Sequence, residues 1–306
     1  MASVISTTAA GGAKLFPAEL TTELFNLVRG KSALARLSGQ MPLAMRGTQA
    51  FTFNFDKEVD LVAENGAKGN GGGVIAPITV VPVKVEYGMR ISDEFKYAAE
   101  ETQLEYLRAF AEGFANKAAR GLDIMAFHGV NPRTGTASAV IGTNHFDSKI
   151  TQKVQRTTDA NADMEAAIAL VNGNEHEVTG AAVAPTFKSA LAAQKSGDNY
   201  LFPELGWGNA PETVRGLSFD TNSTVSFGNT ASAGDLVFVG NFRDYFRYGI
   251  AKDVTIELIE YGNPDNDATA GDLKGHNQVY LRGEMYIGWG ILAPEAFAKV
   301  QIEAIS

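Results

Sequence analysis

Residues 64–73 read ENGAKGNGGG, five glycines in ten positions, and they lie between two runs of alternating apolar and polar residues. Before them Phe51, Phe53 and Phe55 alternate with Thr52, Asn54 and Asp56. After them Val81, Val83, Val85, Tyr87, Met89 and Ile91 alternate with Pro82, Lys84, Glu86, Gly88, Arg90 and Ser92. A period of two marks a half-buried strand, and a glycine cluster between strands is a flexible turn or loop tip. The simplest reading is one long hairpin. Pro77 and Pro82 offer no N–H to a ladder, which places this arm at an edge. A two-stranded ribbon alone in water is marginal, so something must cover it, and the simplest cover is another copy of the same protein.

The remainder of the sequence is globular in character. Its 306 residues give a prior of two domains of ~150 residues, or one large α/β or α+β domain. Hydrophobic residues make up 45% and charged residues 20%, which excludes disorder over most of the length. The net charge of -9 has the wrong sign for a protein that gains affinity by neutralising phosphates, which argues against sequence-specific DNA binding. The charge is also segregated. Lys14, Arg29, Lys31, Arg36 and Arg46 face only Glu19 and Glu23 in the first fifty residues, so that segment is +3 and the remainder -12. No apolar run approaches the ~18 residues of a membrane span, and the N-terminus lacks the order of a signal peptide.

A helix opened by Pro17 is predicted to run to Gly30 on Leu20, Leu24, Leu27 and Val28, followed by a short turn at 32–37. A long helix is predicted from a capping box at Thr102 and Glu105 to Gly129. Its apolar stripe is Leu104, Leu107, Phe110, Ala111, Phe114, Ala118, Leu122 and Met125, and its opposite, exposed side carries Glu105, Arg108, Glu112, Asn116 and Asp123. Residues 159–197 change texture: a helix at 162–171, a buried strand at 178–184 and a helix opened by Pro185. Strands follow at 214–219, 236–239, 245–250 and 254–261, and a polar loop at 262–278 leads to a closing strand alternating from Val279 to Ile291.

The residues offer little chemistry. There is no cysteine, which removes disulfides, thiol catalysis and zinc-thiolate sites. The glycine cluster lacks the third fingerprint glycine and any Gly-Lys-Ser/Thr, and it joins strand to strand, so it is no phosphate cradle. Counted from Asp265, the acidic turn at 263–267 has Ala270 where a calcium loop needs glycine and His276 where it needs glutamate, leaving a solvated turn. Glu175, His176 and Glu177 point apart as sequence neighbours, and His128, His145 and His276 stand alone, His128 at a helix end where it suits the dipole. Trp207 and Trp289 are core or interface anchors. No catalytic constellation emerges, and no cofactor, metal or membrane is expected.

In order, the sequence presents a basic arm, a glycine-tipped hairpin, one long helix, an α/β region and a long closing strand. The motifs LFPAEL at 15–20, LVAENG at 61–66, RISDEF at 90–95, LDIMAFHG at 122–129, GDLVFVGNF at 234–242 and YLRGEMYIGWGILAPEAF at 280–297 follow the same order. The whole resembles the major capsid protein of tailed bacteriophages with the Hong Kong 97-type fold. That resemblance implies an α+β protein divided into an N-terminal arm (1–50), an extended hairpin loop (51–91), a peripheral domain with a spine helix (92–158), an axial domain (159–260) and a closing peripheral strand (261–306). It implies pentamers and hexamers in an icosahedral shell around double-stranded DNA, with a scaffolding protein, a portal, possible decoration proteins and weak contact between arm and DNA. Assembly would take place in the bacterial host cytoplasm. Subunit contacts are then expected at Glu64, Asn65, Lys68, Asn70, Arg90, Asp93, Glu112, Trp207 and Arg243, and axial contacts along 199–233. Because Met1 leads at once into the arm, a separate scaffold is expected. Lys57 or Lys68 could serve the lysine–asparagine crosslink of some members, with no acceptor identified. The competing readings are an encapsulin-type compartment of the same fold, a soluble acidic enzyme, and a phage decoration or tail-tube protein.

Overall fold

The structure is a computed structural model that describes residues 31–230 and 233–303. The helix expected at 17–30 lies outside the described residues. The described part begins with the short helix Ala33–Leu37, capped by Ser32, whose side group accepts the Ala35 N–H, and continues into the two-residue strand β1 (Gly39–Gln40).

The hairpin is paired differently from the sequence expectation. Strand β2 (Thr48–Phe55) pairs antiparallel with β3 (Gly73–Val80), Phe51 opposite Pro77 and Phe55 opposite Gly73. The alternating run 81–91 is not its partner. Val81 and Pro82 interrupt the strand, and β4 (Val83–Ser92) turns away to join another sheet. Alternation reports a strand but not its neighbour, and Pro82, without an N–H, marks where the ladder stops. Residues 56–72 form the loop that closes the ribbon.

Strand β4 forms one edge of a four-stranded sheet in the order β1, β12 (Phe246–Ile259), β13 (Gln278–Ile291), β4. The two strands expected at 245–250 and 254–261 are the single strand β12, whose register against β13 shifts between Ile250 and Lys252 and again before Thr255. Where the ribbon leaves this sheet, Val80 is fully buried over β13. A Cβ on Gly290 would come within 2.7 Å of Val80 Cγ2, and one on Gly288 within 2.8 Å of Leu43 Cδ2, so close approach at the root of the arm requires both glycines.

The long helix spans Glu100–His128 and lies over this sheet, with Phe114 and Phe110 about Gly283 of β13. The expected capping box does not form, because the helix starts ahead of Thr102 with Ala99, which has no polar group to offer, at the N-cap. Its end is as expected: Gly129 is left-handed at φ 67° and its N–H returns to Met125 O.

A six-stranded sheet runs β5 (Lys153–Gln155), β14 (Phe297–Ile302), β11 (Gly234–Gly240), β6 (Gly180–Val183), β10 (Leu217–Thr221), β9 (Thr213–Val214). The helices Ala160–Asn172 and Pro185–Ala192 accompany it, the first capped by Asp159 and the second opened by Pro185. A small hairpin of β7 (Lys195–Ser196) and β8 (Asn199–Tyr200) follows the second helix. The polypeptide crosses between sheets more than once: β12, within 159–260, belongs to the four-stranded sheet, and β14, within 261–306, to the six-stranded one. One core joins both. At its centre Phe127 stacks on Phe238 at 4.6 Å, and Phe146 contacts Phe238, Phe242, Phe246 and Phe297.

Candidate functional site

Two features stand apart from ordinary core and surface: an exposed apolar ribbon, and a network of polar groups mostly withdrawn from solvent. The arm is the β2–β3 ribbon with its loop. Phe51, Phe55 and Ile75 are more than half exposed along it, and Val59 and Leu61 at the loop are almost fully exposed. Phe51 and Phe55 lie on the same face of β2, and Ile75 shares that face from β3 by its register. Single exposed apolar residues are commonplace, whereas several on one face of a two-stranded ribbon set this element apart from the rest of the described surface.

Four of the nine expected contact residues, Glu64, Asn65, Lys68 and Asn70, lie exposed on this loop. Its neck is fastened by Asp56, whose N–H donates to Gly72 O at 3.1 Å and whose carboxylate accepts the Gly72 N–H at 2.7 Å. Lys57 Nζ donates to Asn70 O at 2.8 Å. Glu112 is exposed on the long helix beside Arg108, and Arg243 is exposed at the end of the six-stranded sheet. Trp207 is wholly exposed, at φ 55° between Gly206 and Gly208. Asp93 is half-buried, and its N–H donates to Asn277 O.

Arg90 is committed within its own subunit, its side group only 11% exposed. The guanidinium donates to both oxygens of Asp265 (2.6 and 2.8 Å), to Asn263 Oδ1 (2.7 Å), to Gln278 Oε1 (3.1 Å) and to the carbonyls of Ala270 and Gly271. Its hydrogen bond holds the Asp265 carboxyl down to about 2. The oxygen-rich turn that suggested calcium is therefore organised around the protein's own cation.

The internal polar network departs from the sequence expectation. Asp123, expected on the exposed side of the long helix, is fully buried. It accepts hydrogen bonds from Ser32 Oγ (2.5 Å), the Ala33 and Leu34 N–H groups (2.8 and 3.2 Å) and Thr224 Oγ1 (3.0 Å). Burial pushes its carboxyl up to about 6 against these lowering contacts. Thr224 carries the network onward, since its carbonyl lies 3.0 Å from His128 Nε2. His128 is thus no simple dipole partner: its Nδ1 lies 2.8 Å from Asp147 and 3.6 Å from Asp235. Lys299 Nζ, from β14, lies 2.9 Å from Asp147 and 2.8 Å from Asp235.

Burial and the neighbouring Asp147 raise Asp235 to about 6, while for Asp147 the contacts with His128, Asp235 and Lys299 overcome burial and hold it well below the usual range. Burial opposes the charged forms of His128 and Lys299, but Asp147 and Asp235 outweigh it and raise both. Ligand atoms of His128, Asp147 and Asp235 lie within 4.8 Å of one another, and the Lys299 ammonium bridges the two carboxylates beside them. Every group here is held by another, so the arrangement ties β11 and β14 to the end of the long helix. One signal lies in the sequence: Leu122, Ile124, Met125, Ala126 and Phe127 make the helix apolar on every side around Asp123.

Trp289, the other tryptophan, is a core anchor that donates Nε1–H to Asn144 O at 2.8 Å.

Comparison with known proteins bears on nearly the whole length. A family model described as the phage capsid family matches residues 12–302. Among solved structures, a protein from Mycobacterium phage Ogopogo is 32% identical, with a TM-score of 0.74 over 89% of this chain and 92% of that one. A protein from Gordonia phage Cozz gives a TM-score of 0.73 at 21% identity over 90% and 87%. A structure titled as the capsid of an empty GTA particle computed with C5 symmetry gives 0.63 at 14% identity over 90% of each. No curated protein matches.

Proposed function

The chain belongs to the phage capsid family, and from that premise we propose that its copies assemble as pentamers and hexamers into an icosahedral shell enclosing double-stranded DNA. The observation that carries this reading is the β2–β3 ribbon, along which Phe51, Phe55 and Ile75 are more than half exposed on one face. Such a surface is satisfied by laying it across a neighbouring copy. The fold shared with a GTA particle capsid is consistent with a shell-forming subunit.

In this reading the long helix and the four-stranded sheet form the peripheral part, and the six-stranded sheet forms the axial part, with the turn around Trp207 as its contact tip. Glu64, Asn65, Lys68, Asn70, Asp93, Glu112 and Arg243 lie at or near subunit contacts, and Arg90 acts there by shaping the 262–278 loop. The +3 arm faces the interior and meets DNA without reading sequence. A scaffolding protein and a portal complete the assembly in the host cytoplasm, decoration proteins bind outside it, and the protein performs no catalysis.

Negative-stain microscopy of the purified protein, with and without scaffold, tests this. Closed shells are expected, and a variant lacking residues 65–72 is expected to stop at soluble capsomers or monomers. A monodisperse monomer at high concentration with scaffold present would overturn the reading.

A further inference from the structure

The sequence contains three Asn–Gly pairs, at 65–66, 70–71 and 172–173. An asparagine followed by glycine is the pair most open to attack of the next backbone nitrogen on the asparagine's own amide, because glycine has no Cβ to obstruct the approach. The attack needs that nitrogen uncommitted, and the three pairs are graded in this respect. At the end of the helix Ala160–Asn172, the Gly173 N–H donates to Ala169 O at 2.9 Å. In the loop, the Gly66 N–H donates to Ala63 O at 2.8 Å. Among the described residues the Gly71 N–H has no acceptor, and Asn70 and Gly71 are both exposed.

We propose that Asn70 is a site of spontaneous covalent modification, converted through a succinimide to a mixture of aspartate and isoaspartate in which Lys57 favours isoaspartate. The Gly71 nitrogen bonds to Asn70 Cγ, its proton passes to a solvent base, and the Cγ–Nδ2 bond breaks to release ammonia. Solvent water then opens the ring. Cleavage of the bond between the Gly71 nitrogen and Cγ gives aspartate, whereas cleavage of the bond to the backbone carbonyl carbon gives isoaspartate and frees that carbonyl as a carboxylate. Overall, one amide and one water become one carboxyl group and ammonia.

The backbone carbonyl concerned is the one that accepts the 2.8 Å hydrogen bond from Lys57 Nζ. The ammonium polarises it toward attack and pairs with the carboxylate it becomes. The product adds a negative charge to a segment, 56–72, that already holds Asp56, Glu58, Asp60 and Glu64 against Lys57 and Lys68. Isoaspartate also lengthens the backbone by one atom between the Lys57 clasp at Asn70 and the Asp56 clasp at Gly72. The loop neck therefore changes with the age of the subunit.

The test is peptide mapping by mass spectrometry of purified subunit held at mildly alkaline pH, with fragmentation that separates isoaspartate from aspartate. Conversion at Asn70 is expected to be at least about tenfold faster than at Asn172, with Asn65 between them. Gly71→Val is expected to slow it, and Lys57→Met to lower the isoaspartate share while Asn70 still converts. Equal rates at Asn70 and Asn172, or no conversion at Asn70, would overturn the site. An unchanged product ratio in Lys57→Met would overturn the role of Lys57. Neither result depends on whether the subunit forms shells.

Discussion

Ser32 Oγ donates a 2.5 Å hydrogen bond to the buried carboxylate of Asp123, 91 residues further along the sequence. The same carboxylate takes the N–H groups of Ala33 and Leu34, so the long helix caps the short helix Ala33–Leu37 from outside while Ser32 caps it from within. Thr224, from the turn after β10, closes the junction. The first described residues are thereby fixed to the long helix by polar contacts whose loss would strand buried donors.

The cost of loosening this junction follows from those donors. Ser32→Ala is expected to lower unfolding stability by about 2 kcal/mol, the range of a hydrogen bond to a charged group, and Asp123→Ala by more, since four buried donors lose their acceptor. Chemical denaturation of subunits measures both. The pH dependence has a definite sign. Asp123 holds its proton to about 6 in the folded protein against 3.8 ordinarily, so the stability due to its protonation is full below 3.8 and is lost as pH rises through 6. That interval corresponds to on the order of 3 kcal/mol. Asp123→Asn lacks this titration, so wild type should lose stability relative to it between pH 4 and 7. A constant difference would refute the assignment.

Lys299 is buried and is the counter-charge for two carboxylates, buried Asp235 and partly exposed Asp147. Lys299→Met keeps most of the volume but leaves Asp147 and Asp235 facing each other with only His128 between them. A loss of about 3–5 kcal/mol is expected at neutral pH, the range for breaking a buried ion pair from one side. The loss should shrink in mild acid, because Asp235, already raised to about 6, then takes up a proton and removes one of the opposed charges. Denaturant titrations at pH 5 and pH 7.5 compare the two.

Much of this architecture is legible in the residues, and the exceptions have physical causes. Val279 to Ile291 alternates because β13 carries the long helix on one face, and Gly129 ends that helix because its backbone is left-handed. Alternation does not choose between partners, so the run after the glycine loop reads as the second strand of the ribbon although it pairs with β13. Strand β12 reads as two strands because its register shifts break the period. Strand β14 escapes a pattern-based reading because Phe297–Ile302, buried on both faces, has no alternation and contains a lysine that reads as surface. Local pattern also places Asp123 outside, since the groups that satisfy it are 90 and 101 residues away. The exposed loop residues are legible from composition alone, because a glycine cluster is its own signal.

The ribbon separates stability from assembly. Phe51 and Ile75 are 58% and 52% exposed, so replacing both with serine removes little buried area from the subunit. Unfolding stability should stay within about 0.5 kcal/mol of wild type, as for surface substitutions generally. Shell formation, followed by sedimentation and microscopy, should fail or require much higher protein concentration. Normal shells from this variant would mean that the ribbon is not the bridging element.

Trp207 makes the sharper case, because its two costs oppose each other. A tryptophan at φ 55°, ψ 33° bears a left-handed backbone penalty of about 1–2 kcal/mol, and a wholly exposed indole gains nothing within the subunit to offset it. The turn nevertheless holds it firmly, with the Asn209 N–H donating to Gly206 O and Asn209 Nδ2 to Glu204 O at 2.9 Å, over a buried Leu205. Asparagine tolerates the left-handed region, so Trp207→Asn should leave subunit stability unchanged or raise it by up to about 1 kcal/mol. An anchor residue in a contact between copies is worth about 2 kcal/mol or more, so the same variant should raise the assembly threshold about thirtyfold. Fluorescence gives an independent check. Of the two tryptophans Trp289 is already buried, so any blue shift of emission on assembly reports Trp207 leaving water. An unshifted spectrum together with an unchanged threshold would place this turn outside every subunit contact.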